Sequence, residues 1–400
     1  MADRTSFEGP VTTVARSRPL DGLRGVAALG VVSYHCLFGA GFSTPEGTRP
    51  GLGMSTASIL GNFCVTVFFV LSGFLLFREF VGRILFDEEA TPLRHYFARR
   101  FLRVYPAYWV ALLGFVLLLG APKLRGSILG LLTLTERSFN STQRYPGIFV
   151  SWTLFIEVTF YALLPFGAAL LVRSCRSRTL TMRSRILFGS LSAMAVFSLI
   201  WVWAVHRFAH DSLRLITNLP TFLGWFAAGM ALATMQSCQQ RGLSIPATIS
   251  RLAQSPWICW GSALILNLAV ALMRVSPYTG ETTLQFQIRL VAQGIGAFLI
   301  ILPLVLSSQP SLIRSTMSRR SLVGVGIVSY GLYLWHFTLI LELAQRIDLS
   351  RDLASVVALL AMVLPTSVLI GWISFRVIEQ PALSLAARRR TSSVRVGSGR

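Results

Sequence analysis

Charge is what this sequence has least of. Only 13% of its 400 residues are Asp, Glu, Lys or Arg, and just 16 are acidic. A water-soluble domain carries roughly a quarter charged residues, so a soluble globular fold is excluded. Lysine is almost missing as well: Lys123 is the one lysine among 37 basic residues. That arginine bias points to a GC-rich bacterial genome. The five cysteines, Cys36, Cys64, Cys175, Cys238 and Cys259, are scattered and show no CxxC spacing. They form neither a disulfide framework nor a zinc site, and no metal is expected. The sequence also lacks a GxSxG elbow, a P-loop and an HExxH pair, which removes the commonest hydrolase, nucleotide and metalloprotease readings. Its first 18 residues hold no apolar run, so no separate cleavable leader is expected.

What the chain does have is apolar length. It is 53% hydrophobic, with a mean hydropathy of +0.62. Several runs exceed the roughly 18 residues that a helix needs to cross a bilayer. Lipid offers the backbone no hydrogen bonds, so only helices or a closed barrel can span it. Continuous apolar runs, without strand-like alternation, exclude the barrel. The expected fold is an all-α polytopic membrane protein with about ten transmembrane helices. They fall near residues 20–41, 56–77, 105–120, 148–172, 186–205, 218–235, 257–273, 290–306, 323–343 and 353–377. A short apolar piece at 128–134 reads as re-entrant or interfacial. Residues 19–382 form the membrane domain, flanked by polar cytoplasmic tails at 1–18 and 383–400, both expected to be disordered.

The net charge of +21 would suggest nucleic acid in a soluble protein. Here the basic residues lie between spans, where they meet anionic headgroups, and no nucleic-acid partner is expected. With ten spans, 26 of the basic residues fall on the side of the two termini and 11 on the other. This bias predicts both termini inside and places the chain in the bacterial inner (cytoplasmic) membrane.

Ionisable side chains within spans are costly and usually face a cavity or a partner. Arg24 and His35 are the first pair. Eleven residues apart, they lie about 20° from eclipsed after three turns, on one helix face and roughly 16 Å apart along it. A neutral imidazole suits proton abstraction from a hydroxyl, or it acts as a nucleophile that carries an acyl group. Arg24 either holds an anionic ligand or snorkels to lipid phosphate. Glu157, near the middle of its span, either orients a histidine, pairs with an arginine as part of the site, or belongs to a structural ion pair. His336 has two readings as well, site residue or packing partner, since Tyr333 and Trp335 beside it suit packing. Glu342 sits at the outer interface, without a role. Arg94, Arg99, Arg100 and Arg103 suit a polyphosphate, because guanidinium binds phosphate bidentately, although any cytoplasmic loop is basic. The HxxxxD spacing from His206 to Asp211, known from soluble-site acyltransferases, lies in a short outer loop and is discounted.

Six blocks in order carry a resemblance: LDGLRGVAALGVVSYH (20–35), FFVLSGF (68–74), RRFLRVYPAYW (99–109), SWTLFIEVTFYALLP (151–165), SYGLYLWHF (329–337) and VIEQP (377–381). Together they resemble the acyltransferase-3 family of bacterial integral-membrane O-acyltransferases. The resemblance implies transfer of an acyl group, often acetyl, from acyl-CoA to a hydroxyl. Acceptors in that family include surface polysaccharides, peptidoglycan, glycolipids and macrolides. The family's R-x10-H motif falls on Arg24 and His35, with the histidine catalytic. Its R-x-x-R-x-x-P block falls on Arg100, Arg103 and Pro106, and implies that these residues and Arg99 bind the donor. Its WSLxxExxFY block is matched by Trp152, Glu157, Phe160 and Tyr161, while Thr153 replaces the usual serine and keeps a hydroxyl. Glu379, in the last block, is a further candidate.

The combined expectation is a membrane O-acyltransferase using acyl-CoA as donor substrate, with no permanently bound cofactor. Its acceptor would be a hydroxyl on a glycan, a glycolipid or a small molecule such as a macrolide. His35, Arg24 and Glu157 would form the catalytic set, with Trp152, Tyr161, His336 and Glu379 as further candidates. The competing class is a glycan or lipid transporter, which also places Arg, Glu and His inside a membrane.

Overall fold

Ten helices match the ten expected spans in order. The computed structural model describes residues 17–41, 52–89, 92–120, 127–135, 147–209, 212–273, 281–347 and 353–385, except for the side chains of 52–58 and 213. The helices are α1 (Arg18–Gly39), α2 (Leu52–Phe86), α3 (Leu93–Leu119), α4 (Ser151–Cys175), α5 (Leu180–Phe208), α6 (Leu219–Gln240), α7 (Pro256–Leu272), α8 (Thr283–Leu306), α9 (Arg320–Arg346) and α10 (Leu353–Ser374). Among the described residues there is no strand. Most of both expected tails, and Asp211 of the HxxxxD spacing, lie outside the described residues. His206 is described, and its Nδ1 lies 2.8 Å from the Val202 carbonyl one turn back.

Eight helical segments among the described residues are long and apolar enough to cross a membrane. A ninth forms if Ala247–Ala253 and α7, bent by 92°, count as one span. α1 is not among them, because Asp21, Arg24 and His35 dilute its apolar run. It is shielded instead, with Asp21 and His35 both buried. On the outer helices, large apolar side chains such as Leu117, Phe166, Ile200, Trp257 and Ile265 point outward. Water would penalise that surface, whereas hydrocarbon accepts it. The chain is a multi-pass helical membrane protein.

Several boundaries differ from the hydropathy reading. α3 begins at Leu93, twelve residues before the expected start at Tyr105, so Arg99, Arg100 and Arg103 stand on a helix and not in a loop. Pro106 resembles a first-turn proline but lies inside the helix, where its ring removes one backbone bond. α2 likewise continues to Phe86. Both extensions are polar turns projecting beyond the apolar span. The apolar piece at 128–134 forms a short helix, Ile128–Thr133, capped by Ser127. Tyr105, Tyr108 and Trp109 of α3 tie it down by donating to the carbonyls of Thr133, Leu131 and Leu132.

Close glycine crossings set the register. A side chain on Gly25 of α1 would strike the Leu322 carbonyl of α9, and one on Gly326 would strike the Asp21 carbonyl. Small residues give helices in lipid this kind of close approach. At the far end of the same pair Gly39 meets Ile340, so α1 and α9 run parallel. α1 and α2 run antiparallel, with Gly30 against Cys64 and Gly61 against Tyr34. α9 and α10 are also antiparallel, with Gly331 against Gly371 and Gly39 facing both Ile340 and Leu359. Parallel odd-numbered helices with antiparallel neighbours are what an alternating ten-span chain requires.

Candidate active site

Five helices, α1, α2, α3, α4 and α9, enclose a cavity of about 120 Å³. Its polar lining includes Arg24, Arg100, Arg103, Glu157, Tyr161 and Ser72, with Tyr330 and Tyr333 on the α9 side. Three guanidinium groups thus share one small space with one carboxylate. In such apolar surroundings charges act on one another far more strongly than in water.

Glu157 is held by hydroxyls. One oxygen accepts from Ser72 Oγ at 2.6 Å, the other from Tyr161 OH at 2.9 Å. Tyr161 is four residues on along α4, on the same helix face, and Ser72 reaches in from α2. No arginine comes within ion-pair distance of Glu157 among the described residues.

The arginines differ in how they are engaged. Glu79 of α2 bridges two of them, taking Arg99 at 2.5 Å and Arg100 at 2.8 Å. Arg99 does not line the cavity, while Arg100 does, and it lies over the rings of Tyr96 and Tyr161. Arg103 lies 3.8 Å from Glu379, whose side chain is 1% exposed, and 6.0 Å over the Tyr330 ring. Glu379 sits in a π-helical turn, Phe375–Glu379, that continues α10. Such turns recur at functional sites. Arg24 makes no ion pair among the described residues. Arg94, at the start of α3, is exposed.

His35 lies beyond this cavity, not in its wall. Its Nδ1 is 2.9 Å from Nε2 of His336 on α9. His35 is 9% exposed and His336 fully buried. Phe149 and Phe337 stack at 4.0 Å, and His35 meets both rings edge-on. Between the histidines and the cavity stands Tyr333. It lines the cavity, its ring centroid is 5.6 Å from that of His336, and its hydroxyl is 2.7 Å from Thr153 Oγ1. On α9, Tyr330, Tyr333 and His336 recur every three residues and share one face. That face runs alongside the Arg24-to-His35 face of parallel α1, so two polar stripes lie side by side across a helix pair.

The cavity therefore gathers Arg24, Arg100, Arg103, Glu157 and Tyr161, and His35 meets His336 in the packed interior beyond Tyr333. Trp152 packs half-buried against Phe222, 6.0 Å between rings, away from the cavity. Glu342 pairs with Arg346 one turn on. Sequence reasoning missed Ser72, Glu79, Tyr330 and Tyr333. Ser72 and Glu79 had one available signal, being polar residues in or beside the longest apolar run. Among the described residues no three His, Cys, Asp or Glu groups converge to hold a metal ion.

Comparison with known proteins places this arrangement in context. The model of one family, described as an acyltransferase domain (acyltransferase-3), matches residues 19–372. The chain is similar to the peptidoglycan O-acetyltransferase OatA of Listeria monocytogenes, 25% identical over 393 residues, covering 90% of this chain and 55% of that protein. It is also similar to the exopolysaccharide production protein ExoZ of Rhizobium meliloti, 25% identical over 344 residues, covering 84% of this chain and 93% of that protein. A third relative is the acyltransferase MdmB of Streptomyces mycarofaciens, 24% identical over 392 residues and covering 94% of each. The chain spans about half the length of the Listeria relative and nearly all of the other two. No solved structure matches.

Proposed function

We propose a reaction for the chain on one premise: it belongs to the acyltransferase-3 family. The reaction is transfer of an acyl group, acetyl in the simplest case, from acyl-CoA to a hydroxyl of a cell-surface glycan or glycolipid. Two of the relatives have names that point to peptidoglycan and exopolysaccharide. The observation that carries the proposal is the pairing of an arginine-lined cavity with a buried imidazole pair three turns further along the same helix.

The two parts suit the two ends of a long thioester. Arg24, Arg100 and Arg103 supply donors for the phosphates of coenzyme A. The roughly 16 Å from Arg24 to His35 is on the scale of an extended pantetheine arm. Tyr333 and Thr153 close the passage, so the acyl end meets the histidines when that contact parts. His35 then takes the proton of the acceptor hydroxyl, or first accepts the acyl group itself and hands it on. Glu157, fixed by Ser72 and Tyr161, offsets the positive charge of the cavity and keeps the arginines apart. The arginine bias of the terminus-bearing side supports a cytoplasmic mouth, reached by a cytosolic donor in a bacterial inner membrane.

Purified full-length protein, given acetyl-CoA and a panel of N-acetylglucosamine oligomers, alkyl glucosides and a hydroxylated macrolide, tests this. Thiol release that depends on one of the acceptors and is lost in His35→Ala supports it. Equal release by wild type and His35→Ala overturns the mechanism. Acylation of the macrolide alone would favour a small-molecule acceptor over a glycan.

A further inference from the structure

The two histidines carry more information than proximity, because each hydrogen bond restricts the next. His336 Nδ1 lies 3.3 Å from the Leu332 carbonyl oxygen, one turn back on α9. A carbonyl oxygen only accepts, so the proton of His336 belongs on Nδ1. A neutral imidazole has one N–H, which leaves His336 Nε2 as an acceptor. The atom facing it at 2.9 Å is His35 Nδ1, which must therefore be the donor. His35 then has no proton on Nε2.

The opposite arrangement does worse at the Leu332 end. With the His336 proton on Nε2, its Nδ1 lone pair would face the Leu332 oxygen inside a fully buried site, and two acceptors in contact without water carry a desolvation cost. A doubly protonated His336 would place a full charge where no water reaches, which is costlier still.

Resting on the acyl-transfer reading above, we infer that His336 is a positioning residue that holds His35 in the tautomer whose reactive lone pair sits on Nε2. The chain Leu332 carbonyl, His336, His35 does for this imidazole what a carboxylate does in a serine hydrolase triad: it fixes the tautomer and the ring orientation. Phe149 and Phe337 add the steric part, holding the His35 ring between two aromatic edges. In the direct route the acceptor oxygen bonds to the thioester carbonyl carbon as its proton passes to His35 Nε2. The C–S bond then breaks, and the sulfur leaves with that proton as the free thiol. While His35 carries the proton it is an imidazolium, and its Nδ1–H donates to His336 Nε2, which stabilises the charge at that moment. In the covalent route the same Nε2 lone pair attacks the carbonyl carbon and the C–S bond breaks, releasing thiolate. The acceptor oxygen then bonds to that carbon, the C–N bond to His35 breaks, and the hydroxyl proton goes to the thiolate to give the free thiol. Both routes need Nε2 free, and His336 keeps it so.

Two polar substitutions separate this role from packing. In His336→Gln the side-chain oxygen reaches the position of Nε2 and can accept from His35. In His336→Asn the amide stops short of it. Full-length protein would be assayed for thiol release from acetyl-CoA with the hydroxyl panel above, after size-exclusion and thermal-melt checks of folding. The expected result is that His336→Asn loses about 100-fold in kcat with little change in KM for acetyl-CoA, while His336→Gln recovers at least about tenfold of that loss. Equal activity of the folded Gln and Asn variants, whether high or low, overturns the positioning role while leaving acyl transfer standing. If the Asn variant does not fold, His336→Gln decides alone: near-wild-type KM with measurable turnover supports the role, and no turnover in folded protein contradicts it. Wild-type protein that transfers to no member of the panel overturns the acyl-transfer reading and this inference together, a pattern distinct from loss in the variants alone.

Discussion

Tyr333 and Thr153 join α9 to α4 hydroxyl to hydroxyl at 2.7 Å, at the point where the arginine-lined cavity stops short of His336. Both hydroxyls also contact the Val150 carbonyl, at 3.3 and 3.1 Å. The bond thus links the two helices at the wall of the arginine-lined cavity. Tyr333→Phe removes it and leaves the ring in place. The expected outcome is a folded protein in which acetyl-CoA hydrolysis without acceptor rises severalfold, because the passage toward His35 is less well closed. Unchanged background hydrolysis, read as thiol release, would show that this contact gates nothing.

Arg24 is the cavity arginine with the least to lose structurally, since it makes no ion pair among the described residues. Arg24→Gln is therefore expected to raise KM for acetyl-CoA by about 10-fold or more, the scale of one charge-assisted hydrogen bond, with a smaller effect on kcat. The control is acetyl-pantetheine, which lacks the nucleotide and its phosphates. If Arg24 holds phosphate, wild type and variant bind this shorter donor alike. An equal KM penalty on both donors would assign Arg24 to another task.

Arg103 has a structural duty that Arg24 lacks. Glu379 is 1% exposed, and Arg103, 3.8 Å away, is its ion-pair partner. Removing Arg103 leaves the buried Glu379 side chain without that partner, which destabilises the fold. Arg103→Ala should therefore lower the melting temperature markedly, and Arg103→Ala/Glu379→Gln should restore much of it. Thermal melts of the two single variants and the double variant complete the cycle. Additive losses would mean that the pair is not coupled.

The sequence shows the single helix well and the meeting of helices poorly. Helices form at all ten positions expected from apolar length, eight or nine of the described ones apolar enough to cross a membrane, and the 3.6-residue period puts Arg24 and His35 on one face of α1. Nothing local could reveal that His35 meets His336, which is 301 residues away. The same limit hides the two hydroxyls on Glu157, one of which comes from another helix. It also hides the capture of Arg99 by Glu79, which takes one member of the basic cluster away from the cavity. Helix ends were misjudged for a different reason. Hydropathy registers where a helix enters lipid, not where it begins, so the polar first turns of α3 and the last turns of α2 read as connection. Pro106 reinforced that error by imitating a helix start.

His35 as the group that handles the acyl transfer is the claim on which the rest depends. Incubation of wild-type and His35→Ala protein with radiolabelled acetyl-CoA, followed by quantification of label in the hydroxyl acceptor, tests it most directly. The account predicts acceptor labelling by wild type, and a loss of about 100-fold or more in the folded His35→Ala protein. Labelling by His35→Ala at the wild-type rate would contradict it.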